Sequence, residues 1–241
     1  MRKLKPKLKA PDCVILDLDN TIYEYSPCHD AGMRAAQTYA HSELKISEKD
    51  FSQCFKQARL QVKNRLKETA ASHNRLLYFQ RLLELLGLGS QPRHALALEQ
   101  AYWQNFLSTS QLFPEVEEFL DDLRIAGIPI VIITDLTATI QMKKFIYWDL
   151  GRFTDYMVTS EESGFEKPNP SIFELALAKI GGIDGEIWMI GDNYQKDIVG
   201  AKTAIMATTF LRNTGKVLSN STHADYIFDS FGSLRNFLRY A

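Results

Sequence analysis

Three short apolar segments of this chain each end in polar residues rich in aspartate, and this repeated pattern strongly constrains the fold. The segments begin at residues 13, 128 and 186, and they consist mainly of aliphatic and β-branched residues. Runs of this length and composition predict buried β-strands. The polar residues that follow them are Asp17 and Asp19, Thr134 and Asp135, and Asp192. We therefore expect three strands whose carboxyl ends reach a polar edge.

Helical patterns and weaker strands alternate through the C-terminal half of the chain. The weaker strand candidates are 156–158, 207–210 and 226–228, and the helix candidates are 114–124, 170–180, 197–204 and 231–240. Strands that alternate with helices favour a parallel sheet covered on both faces. The predicted fold class is therefore α/β, with a Rossmann-like parallel core.

The segment between the first strand and residue 113 has helical periodicity and no convincing strand. Its helix candidates are 31–43, 48–69, 75–86 and 93–107. We interpret residues 25–112 as an all-helical cap inserted into a core of residues 12–24 and 113–241. Residues 1–11 form a basic leader, which is interpreted as a solvated tail, with weak attachment to an anionic surface as the alternative.

Composition excludes several classes of protein. The chain has 28 basic and 29 acidic residues, so it lacks the basic excess of a nucleic-acid-binding protein. It has no apolar run long enough to span a bilayer, and no membrane partner is expected. The three cysteines, Cys13, Cys28 and Cys54, have no CxxC spacing, which argues against a disulfide framework or a zinc site. This cysteine usage fits a reducing compartment, and we expect a cytoplasmic protein.

The acids that end the strands predict a metal site. Ligands of open α/β sheets bind beyond the carboxyl ends of the strands. Converging carboxylates such as Asp17, Asp19 and Asp192 repel one another, and a divalent cation such as Mg²⁺, which prefers oxygen ligands, offsets that repulsion. If the first strand continues, Asp17 and Asp19 point to the same side. The alternative is that each acid caps a helix or turn, which we favour for Asp135 taken alone.

Four motifs in order carry a family resemblance. They are Asp17-Leu-Asp-Asn-Thr, Ile-Ile-Thr134, Lys167-Pro, and Gly191-Asp-Asn-Tyr-Gln-Lys-Asp197. This set resembles the haloacid dehalogenase-like hydrolase superfamily, over residues 13–21 and 113–210. The helical insertion is similar to the cap that one branch of the superfamily carries after its first motif.

The resemblance implies a catalytic role for each motif. Asp17 would be the nucleophile that forms an aspartyl-phosphate, and Asp19 would protonate the leaving oxygen and later deprotonate water. Thr134 would hydrogen-bond a phosphoryl oxygen, and Lys167 would neutralise the nucleophile and the phosphate. An acid at position 19 points to phosphoryl transfer, because dehalogenases that resemble this fold lack one there.

The resemblance also implies Mg²⁺, held by Asp17, the backbone carbonyl of Asp19, and Asp192. Asp197 would orient a metal-bound water or a neighbouring group. The chain departs from many relatives at Asp135, where they carry asparagine. A carboxylate there adds negative charge near the phosphate unless it turns away or is paired, so a substrate-binding role for Asp135 is in doubt.

A polar group within the insertion is a candidate for substrate contact. His73, Asn74 and Arg75 follow one another at a break between two predicted helices. The equally weighted alternative is a helix start, with Ser72 or Asn74 as N-cap and Arg75 exposed to solvent. Tyr23 is either an entrance residue or a core aromatic.

Three functions remain open at this point. The leading one is a Mg²⁺-dependent phosphomonoesterase for a small phosphorylated metabolite, either a sugar phosphate or a nucleoside monophosphate. The second is a phosphotransferase such as a sugar-phosphate mutase, which would use the same core residues. The third is a catalytically silent protein that binds phosphate or a partner. The sequence does not decide between a monomer and a homodimer.

Overall fold

The computed structural model describes residues 9–154, 156–215 and 224–240, so most of the predicted leader lies outside the described residues. Its sheet has six parallel strands in the order β3-β2-β1-β4-β5-β6. The strands are β1 (Cys13–Leu16), β2 (Ile130–Thr134), β3 (Tyr156–Thr159), β4 (Ile187–Gly191), β5 (Thr208–Arg212) and β6 (Tyr226–Phe228). All six strands predicted from the sequence are confirmed. Because β1 lies between β2 and β4, the ends of the three acid-bearing strands are neighbours.

The segment between β1 and β2 starts with four long helices. They are α1 (Tyr25–Leu44), α2 (Glu48–Leu66), α3 (Arg75–Leu85) and α4 (Pro92–Thr109), with a 3₁₀ helix at Ala70–His73. The chain leaves and re-enters the core at adjacent points, since the Phe113 amide donates to the Ile22 carbonyl over 2.8 Å. The division into leader, core and cap stays an interpretation of this layout.

Helices cover both faces of the sheet, which confirms the predicted α/β fold class. The remaining α-helices are α5 (Val116–Ile125), α6 (Ala138–Tyr147), α7 (Ser160–Ser163), α8 (Pro170–Lys179), α9 (Gly200–Ile205) and α10 (Phe231–Tyr240). Alternate side chains of β1 enter two separate cores: Val14 and Leu16 join one, and Cys13 and Ile15 the other. This alternation is the two-residue period of a strand buried on both sides.

The structure corrects the sequence-based prediction in four places. Strand β1 stops at Leu16, so Asp17 and Asp19 lie beyond it and do not alternate along a strand. Helix α1 begins at Tyr25, six residues before the predicted start at residue 31. The predicted helix over 197–204 is divided between a π-helical turn (Tyr194–Val199) and α9. Helix α6 was not predicted at all, although it carries a residue of the candidate site.

No helix among the described residues is both long and apolar enough to cross a membrane.

Candidate active site

Asp17 lies at the centre of the sheet edge, between the ends of β2 and β4. Its amide donates to the Ile190 carbonyl over 3.0 Å, which ties the first residue after β1 to the neighbouring strand. Its side chain is 5% exposed and accepts hydrogen bonds on both oxygens. Lys167 Nζ donates to Oδ1 over 2.5 Å, and Thr21 Oγ1 donates to Oδ2 over 2.6 Å. The first and third motifs therefore meet in a buried ion pair.

Asp17 belongs to a cluster of three carboxylates. Oxygens of Asp17, Asp192 and Asp197 all lie within 4.8 Å of one another. Burial raises the pKa of Asp17 well above its usual range, and the charges of Asp197 and Asp192 add to that effect while Lys167 opposes it. Burial lowers the pKa of Lys167, but the surrounding carboxylates outweigh it and the net shift is upward. Lys167 therefore pairs with two of the three carboxylates in the cluster, Asp17 and Asp197.

The donor set of this cluster suits a hard divalent cation. Carboxylate oxygens are ligands that Mg²⁺ prefers, and an added cation would balance the excess negative charge. The backbone of the fourth motif is shaped for the cluster, because a Cβ at Gly191 would collide with the Asp197 carboxylate. Asp197 also accepts from the Asn193 amide over 2.9 Å and pairs with Lys167 over 2.8 Å. The residues present therefore fit a magnesium ion.

Asp19 has a separate set of partners that the sequence did not reveal. Lys144 of α6 is completely buried, and its Nζ lies 2.5 Å from Asp19 Oδ1. The Tyr23 hydroxyl donates to the same oxygen. Burial opposes ionisation of Asp19, but Lys144 and Tyr23 outweigh it, so the pKa of this carboxyl lies below its usual value. Tyr23 itself is fully buried beneath Asp19 and does not lie at an entrance.

Lys144 could have been noticed from its sequence context. It falls within a segment of helical period, between residues 138 and 147, where a lysine on the apolar face needs a buried counter-charge. The ammonium lies among aromatic rings, 5.6 Å from the centre of Tyr23 and 5.4 Å from that of Phe106. The identity of its partner, Asp19, follows only from the fold.

The second motif ends in a threonine at the cavity and an aspartate that is paired. Thr134 is buried and lines the cavity beside Asp17. Asp135 Oδ1 accepts from the Lys167 amide over 3.0 Å, and Oδ2 lies 2.6 Å from Lys196 Nζ. The charge of Asp135 is therefore compensated. Its carboxylate fixes the loop that carries Lys167.

The residues of the predicted cap that were singled out from the sequence have three different surroundings. His73 Nε2 lies 2.9 Å from Glu166 Oε1, so it connects the helical segment to the loop before Lys167. Asn74 caps α3, since its side chain accepts from the Leu76 amide over 2.9 Å. The exposed position considered for Arg75 is wrong, because its side chain is buried between α1, α3 and α4 and is only 8% exposed.

These groups enclose one cavity of about 300 Å³. Its lining from the sheet edge and adjoining loops is Asp17, Asp19, Asn20, Thr134, Asp135, Leu136, Lys167, Asp192, Asn193, Lys196 and Asp197. Its lining from the helical segment is Tyr25, Arg59, His73 and Arg75. Asn74 and Tyr23 are not in the lining. The cavity therefore has carboxylates at the sheet edge and two arginines on the helical side.

Comparison with known proteins identifies the class of this protein. The family model described as haloacid dehalogenase-like hydrolase matches residues 11–204. The chain belongs to this hydrolase family, as its four motifs suggested.

Two relatives show how far the similarity extends. The chain is 36% identical over 230 residues to a ribulose-1,5-bisphosphate 5-phosphatase of Halopiger xanaduensis, covering 92% of this chain and 96% of the relative. It is 31% identical over 202 residues to a glyceraldehyde 3-phosphate phosphatase of Methanopyrus kandleri, covering 83% of each. The similarity to both relatives thus extends across the helical segment as well as the sheet.

Solved structures share the fold. A 2-haloacid dehalogenase from Pseudomonas syringae superposes with a TM-score of 0.77 at 20% identity, covering 96% of this chain and all of that one. A phosphatase of the same family from Thermococcus onnurineus gives a TM-score of 0.69 at 23% identity, covering 94% and 97%. At these identities the likeness concerns the fold alone.

Proposed function

We propose that the protein is a Mg²⁺-dependent phosphomonoesterase that works through an aspartyl-phosphate on Asp17. The chain is a phosphatase of its family, acting on a small phosphorylated metabolite. The observation that supports the detailed mechanism best is the cluster of Asp17, Asp192 and Asp197, in which the buried Asp17 and Asp197 both pair with Lys167. A carboxylate nucleophile that meets a phosphate dianion needs counter-charge, and this arrangement provides it.

Asp17 attacks phosphorus through one carboxylate oxygen, and the bond from phosphorus to the leaving oxygen breaks. Lys167 and Thr134 stabilise the phosphoryl oxygens as charge shifts onto them. Asp17, Asp192 and the backbone carbonyl of Asp19 would hold Mg²⁺, with Asp197 supporting the site. When bound, the cation neutralises the nucleophile and the phosphate together.

Asp19 moves the protons of both steps. It gives a proton to the leaving oxygen, and it later accepts one from the water that attacks the aspartyl-phosphate. The pair with Lys144 favours the ionised form, which is the form that accepts a proton from water. The proton that Asp19 gives to the leaving oxygen in the first step is recovered from the attacking water in the second, so the carboxyl returns to its starting state. Lys144 is therefore a positioning residue for the acid–base group.

The substrate class follows from the relatives and the size of the cavity. Both relatives described above are named as phosphatases of small sugar or triose phosphates, and a volume of about 300 Å³ suits a metabolite of that size. We propose a sugar phosphate in preference to a nucleoside monophosphate. Because all three cysteines are free, we place the protein in the cytoplasm.

Phosphate release from a panel of sugar phosphates, with Mg²⁺ and with EDTA, tests this proposal. We expect turnover that requires Mg²⁺ and that is lost in D17N. Activity that survives both EDTA and D17N would refute the mechanism. Isomerised product without released phosphate would instead identify a mutase, and no turnover of any metabolite would favour a silent binding protein.

A further inference from the structure

The basic side chains that line the cavity fall into two groups. Lys167, Lys196 and His73 each have a carboxylate partner within 4 Å. Arg59 and Arg75 have none among the residues that the structure describes, although both line the same cavity as Asp17. Two arginines thus bring uncompensated positive charge to the side of the cavity away from the sheet.

Arg75 lacks an anionic partner among the described residues, which is unusual for a buried arginine. Its guanidinium is buried and packs over the rings of Tyr78, Tyr102 and Trp103, with distances to the ring centres of 5.4, 5.5 and 5.8 Å. One terminal nitrogen donates to the His73 carbonyl over 2.7 Å, and the other donates to the Tyr25 hydroxyl. Nε is buried and has no hydrogen-bond partner among the described residues. A buried arginine is permanently charged, so desolvating it without a carboxylate is costly.

Arg59 adds a second charge to the same neighbourhood. It lies on α2 and is exposed, in contrast to Arg75. Both charges act on His29, whose pKa is lowered to about 4 by burial and by the nearby guanidiniums of Arg75 and Arg59. His29 is therefore neutral near pH 7, and it adds no third positive charge to the two arginines. The two guanidiniums form a positive region that an anion could neutralise.

We propose that Arg75 and Arg59 bind a second anionic group of the substrate, at the end opposite the phosphate that Asp17 attacks. This inference rests on the proposed phosphatase function and narrows its substrate class to metabolites with two anionic ends. The second group is a phosphate or a carboxylate, both of which match the planar guanidinium through paired hydrogen bonds. The arginines are specificity residues in this assignment, because they bind the end of the substrate that does not react.

Matched substrates test the assignment. Each alkanediol bisphosphate is compared with the hydroxyalkyl monophosphate of the same chain length, and with the corresponding phosphonooxy-carboxylate. We expect the compounds with two anionic ends to have a kcat/KM about tenfold or more above the monophosphate, since one charge-assisted contact supplies that factor. Whichever of the bisphosphate and the phosphonooxy-carboxylate has the higher kcat/KM shows whether the subsite prefers a phosphate or a carboxylate. Equal kcat/KM across each matched set would overturn the proposal.

Substitutions locate the effect. R59Q is the main variant because Arg59 is exposed and its loss should not disturb folding; R75K removes the planar group at the buried site but keeps a charge. Each should reduce kcat/KM for the bisphosphates about tenfold more than it reduces kcat/KM for the monophosphates. R65Q, an exposed arginine of the same helix that does not line the cavity, is the control. Equal losses on both substrate types, or equal effects of R59Q and R65Q, would refute the subsite.

Failure of the proposed phosphatase function would give a different experimental result from failure of the subsite alone. If the wild type hydrolyses the monophosphates but shows no preference, only the subsite fails. If it hydrolyses nothing, the phosphatase mechanism fails, and the subsite is still tested by calorimetric titration of an alkanediol bisphosphate into wild type and R59Q with Mg²⁺ present. Weaker binding to R59Q then supports the subsite, and equal binding refutes it.

Discussion

The two sides of the cavity hold their charges in opposite ways. At the sheet edge, the acids and lysines form short buried ion pairs, such as Asp17 with Lys167 and Asp19 with Lys144. On the helical side, Arg59 and Arg75 have no carboxylate partner among the described residues. Paired charges are held in one geometry before substrate arrives, whereas unpaired charges remain available to the ligand.

This difference suits the sheet edge to the chemical reaction and the helical side to the selection of the substrate. A nucleophile and an acid–base group need fixed positions, which ion pairs within a rigid sheet edge provide. Selection needs groups whose interactions are completed only by the correct substrate. The core edge carries the motifs of the whole family, and the helical segment carries the residues that we assign to one substrate class.

The largest effect should come from Asp17. We expect D17N to lower phosphate release by about a thousandfold or more, because the amide cannot form the aspartyl-phosphate. Phosphate release with saturating Mg²⁺ is the measurement. The surface variant D121N, which loses only an exposed ion pair with Arg124, is the control. Activity of D17N within about tenfold of wild type would remove Asp17 from the reaction.

The second-largest effect is expected for Lys144. In K144M the Asp19 carboxylate stays buried without its counter-charge, so we expect kcat to fall about a hundredfold and the free energy of unfolding to fall by about 3 kcal/mol. K143M, at the exposed neighbouring position, should match wild type.

The double variant D19N/K144M tests whether the stability loss comes from this pair. Removing both charges should regain part of the melting temperature lost in K144M. A K144M protein as active and as stable as K143M would contradict the role assigned to Lys144.

A smaller effect is expected where the helical segment contacts the core. H73Q removes the 2.9 Å contact with Glu166 and should raise KM severalfold with a smaller change in kcat, since the contact joins the helical segment to the loop before Lys167. A double-mutant cycle of H73Q and E166Q should give a coupling of about 1 kcal/mol in thermal unfolding. E162Q, in the surface pair with Lys179, is the control. A coupling indistinguishable from zero would mean that His73 and Glu166 do not hold the two parts together.

The last expected effect concerns stability in acid and not phosphate release. The pKa of His29 is lowered from 6.5 to about 4, so below pH 6.5 the unfolded chain binds a proton that the folded chain does not. Wild-type stability should therefore fall between pH 6.5 and 4 by up to about 1 kcal/mol per pH unit from this group. H29Q should have a shallower slope in chemical denaturation, while H41Q, at an exposed position of the same helix, should keep it. Identical slopes would rule out this contribution.

Local patterns predicted the fold well because they rest on short-range physics. The apolar runs before Asp17, Thr134 and Asp192 are too long and too apolar to remain exposed, so they predict buried strands. Because these strands alternate with helices, they favour a parallel sheet. Helix α6 was missed because its buried lysine and its glutamine interrupt the apolar pattern. The burial of Arg75 was equally invisible, since a helix start at Asn74 predicts an exposed first turn.

By itself, the sequence determined the class of fold, the order of the motifs and the meeting of the acids at one sheet edge. These follow from residue type and spacing, because the carboxyl ends of adjacent parallel strands share an edge. Only the tertiary structure decided which cation neutralises which acid. Lys144 and Asp19 are 125 residues apart in the chain, and the partner of a buried charge depends on which elements pack together. The same holds for Arg75, which has no carboxylate partner among the residues that the structure describes, and this is what points to the second anion.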